Sequence, residues 1–98
     1  MSANLTHEAF LAQLHTQFHL QEGESVTADL ELTEVSALLR TSKQEAFSIT
    51  FRGPAAFVLE QRIRRLEHGQ MGAFDLFLTP IARDSAGVDY EAVFNRLV

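Results

Sequence analysis

Four stretches of this chain alternate apolar and polar residues with a period of two, and that alternation limits the fold more than any other feature. Val26, Ala28, Leu30 and Leu32 face one way while Thr27, Asp29, Glu31 and Thr33 face the other. Phe47, Ile49 and Phe51 alternate with Ser48, Thr50 and Arg52. Phe74, Leu76 and Leu78 alternate with Asp75, Phe77 and Thr79, and Val88, Tyr90, Ala92 and Phe94 with Asp89, Glu91, Val93 and Asn95. A β-strand turns successive side chains to opposite faces, so each run predicts a strand with one face in a core. The linkers are too short for crossover helices, so the strands connect antiparallel. Phe18 and Leu20 add a short first strand and Gln61 to Glu67 another, giving about six in all. The expected fold is mainly β: a small antiparallel barrel or a two-layer sandwich with one N-terminal helix. A chain of 98 residues holds one domain, with helix over 5–15 and antiparallel β over 16–98.

The helix rests on Leu5, Ala9, Phe10 and Leu14 at helical spacing. Thr6 is its N-cap, and Glu8 favours the positive end of the helix dipole. Too short to persist alone in water, it must dock by its Phe/Leu face. Near Glu34 the alternation slips, because Val35 is apolar where a polar residue is due; a bulge there would re-aim the chain. The polar run from Arg40 to Glu45 reads as a loop. Pro54 has no amide hydrogen to give a ladder, so Gly53-Pro54 ends a strand. Ala55 to Leu59 fits either turn or strand, and Gln61 to Glu67 reads as a strand, with a helix through Phe57 to His68 as its rival, given the Leu, Glu, Gln and Arg there. Strand is preferred because His68-Gly69-Gln70-Met71-Gly72 then closes a hairpin. In that strand Ile63 points inward, joined by Arg65 or Leu66 according to register. Pro80 marks where the next strand leaves its sheet.

Composition narrows the function classes. A formal charge of −5 opposes binding to a phosphate backbone, where a basic face supplies affinity. The basic cluster Arg62, Arg64 and Arg65 is interleaved with Glu60 and Glu67 and reads as a mixed-charge strand face. The absence of cysteine removes disulfides, thiolate metal sites and cysteine nucleophiles. No apolar run approaches the ~20 residues of a spanning helix. Met1-Ser2-Ala3-Asn4 lacks a basic region and a long apolar run, so a cytoplasmic product is the simplest expectation. No nucleic acid and no membrane is expected among its partners.

Little in the chain carries chemistry. His15 and His19 are four apart, but a helix end followed by a strand would spoil a shared metal-binding face, so they read as surface histidines. No serine has a nucleophile elbow, and the glycines form neither phosphate loop nor dinucleotide fingerprint. The carboxylates cannot be paired for hydrolysis from spacing alone. The expectation is therefore no enzyme, no cofactor and no metal. Eight Phe supply large apolar area without a polar handle. Most suit a core, while Phe57, in an apolar loop after Gly53-Pro54, and Phe77, on the opposite face from Phe74 of a strand with apolar residues on both faces, are candidates for a contact surface.

Three segments together resemble a known family: Leu5-Thr6-His7-Glu8-Ala9-Phe10; Phe47-Ser48-Ile49-Thr50-Phe51-Arg52-Gly53-Pro54; and Arg65-Leu66-Glu67-His68 with Leu76-Phe77-Leu78 and Tyr90-Glu91-Ala92-Val93-Phe94-Asn95. The family is a bacterial one of short proteins known only as a domain of unknown function. Its members typically carry Gly-Thr-Tyr before the Arg-Leu-Glu-His stretch, where this chain has Gln61-Arg62-Ile63-Arg64. The resemblance implies no activity, cofactor or catalytic residue. It implies genes often placed near those of proteins similar to phage tail-collar proteins, and hence an assembly role. Arg52 is available to a carboxylate, Glu67 or Glu91, with Glu67-His68 as its counterpart across the sheet, first as a structural charge network.

The function expected is a non-enzymatic interaction or assembly module, self-associating as a homo-oligomer or binding a protein partner, and an accessory of a phage-like particle. The alternative is a small-molecule-binding β domain with an apolar, Phe-lined pocket containing Arg52 or Arg62. A third reading, a hydrolase using His68 with Glu67 or Glu91, requires those groups to converge in a cleft.

Overall fold

The computed structural model describes residues 5–23 and 25–97. A short helix, α1 (His7–Leu11), precedes seven strands: β1 (Gln17–Glu22), β2 (Ser25–Val35), β3 (Leu39–Arg40), β4 (Gln44–Gly53), β5 (Arg62–His68), β6 (Gly72–Arg83) and β7 (Val88–Leu97). Every ladder is antiparallel. The strands run β2–β1–β5–β6–β7–β4, and β2 pairs with β4, so six of them close into a barrel. β3 is an extra strand on the first part of β4. Of the two expected architectures, the barrel is the one formed.

Closure buries the alternating apolar sets. Phe18, Leu20, Leu30, Leu32, Phe47, Ile49, Phe51, Leu66, Phe74, Leu76, Leu78, Val88, Tyr90 and Ala92 point inside. Two bulges tune the barrel. Thr33 is the extra residue between the rungs Leu32–Phe51 and Glu34–Thr50, which explains the slip of phase near Glu34. Thr27 is extra between Ala28–Leu20 and Val26–Gln21, so Val26 lies opposite outward-facing Gln21 and is exposed instead of buried.

The helix is shorter than the 5–15 expected. Thr6 caps it, its hydroxyl accepting from the Ala9 amide at 3.1 Å. After Leu11 the hydrogen bonds tighten to Gln13 N–Phe10 O and Leu14 N–Leu11 O, and His15 adopts a left-handed φ of 68°. The chain then joins β2, through His15 N to Leu32 O and Leu32 N to Thr16 O. Those ladder-like bonds outweigh a further helical turn. Phe10 reaches under the barrel and meets Phe94 at 5.3 Å, Phe74 at 5.9 Å, and Phe18 and Phe47 each at 6.4 Å between ring centroids.

Three other expectations need correction. Arg40 belongs to β3 and Gln44 opens β4; the loop is confined to the turn between them, where Arg40 and Arg96 both bind the buried carboxylate of Glu45. Pro80 does not end its strand: its nitrogen faces away from β7, beyond the Arg62–Leu78 end of the β5 ladder, so no ladder bond is lost, and β6 continues through a bulge to Arg83. The stretch from Ala55 to Leu59, open between turn and strand, holds no strand, because the chain crosses the barrel mouth there before β5 starts at Arg62. Within β5, Ile63 points outward at 66% exposure, while Arg64, Leu66 and His68 point inward. Leu66 sets that parity, opposed by inward Leu20 on one side and Phe74 on the other.

Phe10 has no exposed surface and joins four aromatic neighbours, so Phe10→Ala leaves a cavity that the strands cannot collapse to fill. The expected loss is about 3–5 kcal/mol, read as a lower urea midpoint at unchanged slope.

Candidate functional site

The barrel has two ends with different chemistry. At the upper end lie the β6–β7 turn, the crossing segment 54–61 and the end of β1. Arg52, half-buried on β4, donates through Nη1 to Asp89 Oδ1 at 2.9 Å and through Nη2 to Asp84. Asp84 also accepts the Ala86 and Gly87 amides at 2.8 and 3.0 Å, so one carboxylate shapes the turn and holds the arginine. Hydrogen bonding to Ala86, then to Arg52, keeps the Asp84 carboxyl below its usual range. Asp89, then Asp84, raises the Arg52 guanidinium. A Cβ on Gly87 would lie 2.7 Å from the Gly53 carbonyl oxygen, so this packed turn requires glycine.

Arg52 therefore does not pair with Glu67 or Glu91. Register decides this: Arg52 stands opposite Asp89, while Glu91 stands opposite Thr50, one outward rung further down. Glu67 is near the other end of the barrel, on a strand that does not neighbour β4. Phe57 is half-exposed in the crossing segment beside exposed Val58, and the Leu59 amide donates to the Tyr90 hydroxyl at 2.9 Å.

Arg64 belongs to this end and was missed from sequence. Its side chain is 6% exposed, donating to Glu22 Oε1 at 3.0 Å and to the Glu60 carbonyl at 2.8 Å. Nothing in the run Arg62, Arg64, Arg65 singles out the middle residue; only the parity fixed by Leu66 does.

At the lower end, His68 is buried against the Phe18 ring, 4.3 Å between centroids. Its Nδ1 accepts two backbone amides, Gln70 at 3.0 Å and Met71 at 3.2 Å. An acceptor at Nδ1 places the proton on Nε2, which donates to Thr16 Oγ1 at 2.8 Å; Thr16 in turn donates to the Gln13 carbonyl at 2.7 Å. Burial, and secondarily His19, pushes the His68 pKa down. This neutral histidine caps the β5–β6 hairpin and ties it to the segment after α1. Glu67 is exposed on the opposite face and accepts from Gln21 Nε2 at 3.0 Å. His68 and Glu67 thus point to opposite faces of β5 and share no hydrogen bond, although both border one cleft.

Outside the barrel, His19 lies between Glu67 and Asp29 on neighbouring strands and contacts Asp29 at 2.6 Å. A cleft of about 350 Å³ is lined by His19, Glu67, His68, Gly69, Gly72 and Ala73. His15 contacts Glu31 at 3.3 Å, apart from His19. Among the described residues no group of three His, Cys, Asp or Glu is arranged to hold a metal. A second cleft, about 290 Å³, runs along the outside of β4 and β7, with Leu39, Ala46, Ser48, Val93 and Glu91 among its walls. Neither cleft contains Arg52 or Arg62.

The outer surface carries the apolar groups left over from the core. Ile63 and Phe77 are directly opposed on β5 and β6, and Phe77 is 50% exposed. Leu39, Val93 and Leu97 are exposed on β3 and β7.

These features define a closed antiparallel β-barrel with a helical plug, fixed charge networks at its ends and apolar residues on its outside. The chain belongs to the family described as "Domain of unknown function (DUF6916)", whose model matches residues 5–94. No curated protein and no solved structure matches it. Among the described residues no helix is long and apolar enough to cross a membrane.

The His68 network has a pH signature. Its folded pKa is lowered, so between that value and the ordinary 6.5 the unfolded chain binds the extra proton. Stability from this group is full above about 6.5 and is lost as pH falls from there through the depressed folded value. Urea midpoints measured across that range should fall more steeply for the native protein than for His68→Gln, which lacks the titrating ring.

Proposed function

We propose that this protein is a non-enzymatic interaction module that associates with further copies of itself through the outside of its barrel. The observation that carries this is the Ile63–Phe77 pair. Two large apolar side chains stand opposite each other on the outer face, 66% and 50% exposed. An isolated exposed apolar residue is ordinary, but adjacent ones on a rigid sheet make a patch suited to a partner. The bidentate Arg65–Asp75 ion pair lies on the next outward rung, at 3.0 and 3.1 Å, supplying a polar rim.

Assembly on a phage-like particle is the setting this reading favours. Its support is the family resemblance, with the acidic, cysteine-free composition consistent with a cytoplasmic product that binds protein rather than nucleic acid.

The test is solution mass by light scattering over a concentration series. The native protein should show a dimer or larger species, and the double variant Ile63→Glu/Phe77→Glu should weaken association at least about tenfold while keeping its circular dichroism. A monomeric mass at every concentration, or association indifferent to the double variant, would overturn the proposal.

A further inference from the structure

The barrel is closed over only part of one seam. β6 and β7 pair at Thr79–Glu91, Pro80–Tyr90, Ala82–Asp89 and Arg83–Val88, and the ladder stops there. Below it, residues 72–78 of β6 pair only with β5, and residues 92–97 of β7 only with β4.

The direction of the backbone groups along this gap follows from one contact. The Ser48 carbonyl accepts from the Ser36 amide and the Ser48 amide donates to Ser36 Oγ, both at 2.8 Å, so both groups turn away from β7. Strand alternation then turns Phe47, Ile49 and Phe51 toward β7, and turns their partners Phe94, Ala92 and Tyr90 toward β4. The amides and carbonyls of Val93, Asn95 and Leu97 consequently point into the gap. On β6, Thr79 pairs with Glu91, which is in the same set as Val93; Ala73, Asp75 and Phe77 therefore face the gap from the other side. All six residues are exposed, and no backbone hydrogen bond from another described segment reaches them. The ring of Phe10, set between Phe74 and Phe94, fills the interior behind them.

The geometry points to this seam as a binding site for an extended tail of a partner protein, added as a β-strand between β6 and β7. This rests on the interaction-module reading and gives it a second surface and a partner of stated chemistry. Two bare edges face each other across the seam. A strand from a folded second copy brings only one free edge, because its other edge is already in a sheet; an unstructured tail brings two. Exposed Phe77, Val93 and Leu97 line the outer side, so the tail has apolar residues at alternate positions. Glu91, where the ladder resumes, has no ion-pair partner among the described residues, so the tail carries a basic residue at that end.

The probe is the peptide acetyl-Lys-Val-Thr-Val-Thr-Val-Lys-amide, with a lysine at each end so that either direction presents one to Glu91. Amide hydrogen exchange is read by NMR on the full chain. Without peptide, the amides of Ala73, Asp75, Phe77, Val93, Asn95 and Leu97 should exchange fast while those of Ala92 and Phe94 are protected. Millimolar peptide should slow the six seam amides at least about tenfold. Asn95→Pro removes one seam amide and none of the β4 ladder, so it should keep the fold and abolish that protection. Seam amides already protected in dilute protein, or unchanged by peptide, overturn the proposal. Protection that rises with protein concentration alone also overturns it, assigning the seam to a second copy. Loss of peptide protection alongside self-association that remains sensitive to Ile63→Glu/Phe77→Glu would reject the tail site while leaving the interaction module intact.

Discussion

The pairing of β2 with β4 is the constraint on which the rest of the molecule depends. Without it the strands would form an open sheet, with its apolar face uncovered and long bare edges. With it, one face of every barrel strand becomes interior, and the alternation of each run is converted into a core. The Thr33 bulge lies in that ladder, between the rungs that join Leu32 to Phe51 and Glu34 to Thr50. One inserted residue bends β2 far enough to serve two neighbours, β1 with its first part and β4 with its last.

Closure also divides the labour between the two ends. The lower end is closed by aromatic packing around Phe10, by the hydrogen-bond chain through His68 and by the buried Glu45 carboxylate held between Arg40 and Arg96. The upper end is closed by charge, through Arg52 with Asp84 and Asp89 and Arg64 with Glu22. Polar groups enter the barrel at these ends, where backbone and carboxylate partners satisfy His68 and the two Nη groups of Arg64, while the buried Arg64 Nε has no partner among the described residues. That explains how a strand can turn Arg64 and His68 inward at a tolerable cost, with Leu66 between them.

The strands around Leu30, Ile49 and Tyr90 were legible in the sequence because their two faces differ sharply in polarity. β5 was less so. It contains one aliphatic residue on each face, Ile63 and Leu66, and its inward file is otherwise charged or polar. Parity there is set by neighbours distant in sequence, Leu20 and Phe74, which no local pattern contains. The helix was overextended for a similar reason: Leu14 keeps helical spacing, but His15 and Thr16 are captured by β2. The candidate network failed on register. The partner of Arg52 depends on which residue of β7 lies opposite, and a shift of two residues separates Asp89 from Glu91. The alternation shows that Phe77 faces away from Phe74, but not that its face is the outer one or that Ile63 stands opposite, because the parity of β5 is not legible in its own residues.

A barrel this narrow directs recognition outward. Barrels of about eight strands leave room inside for little more than their own side chains, and six strands enclose less. Here Tyr90, Phe18, Phe51 and Phe10 occupy that space without exposed surface to speak of. The binding proposed above would then draw its specificity from what closure leaves over: outward apolar side chains, and ladder groups that the ring does not use. Both concentrate on the same side of the molecule. Phe77 contributes its ring to the Ile63 patch and its backbone groups to the open seam, so the two proposed surfaces share a residue. A partner's tail in the seam would alter the surroundings of the self-association patch. Coupling between the two proposed contacts would follow directly from where β6 leaves β7.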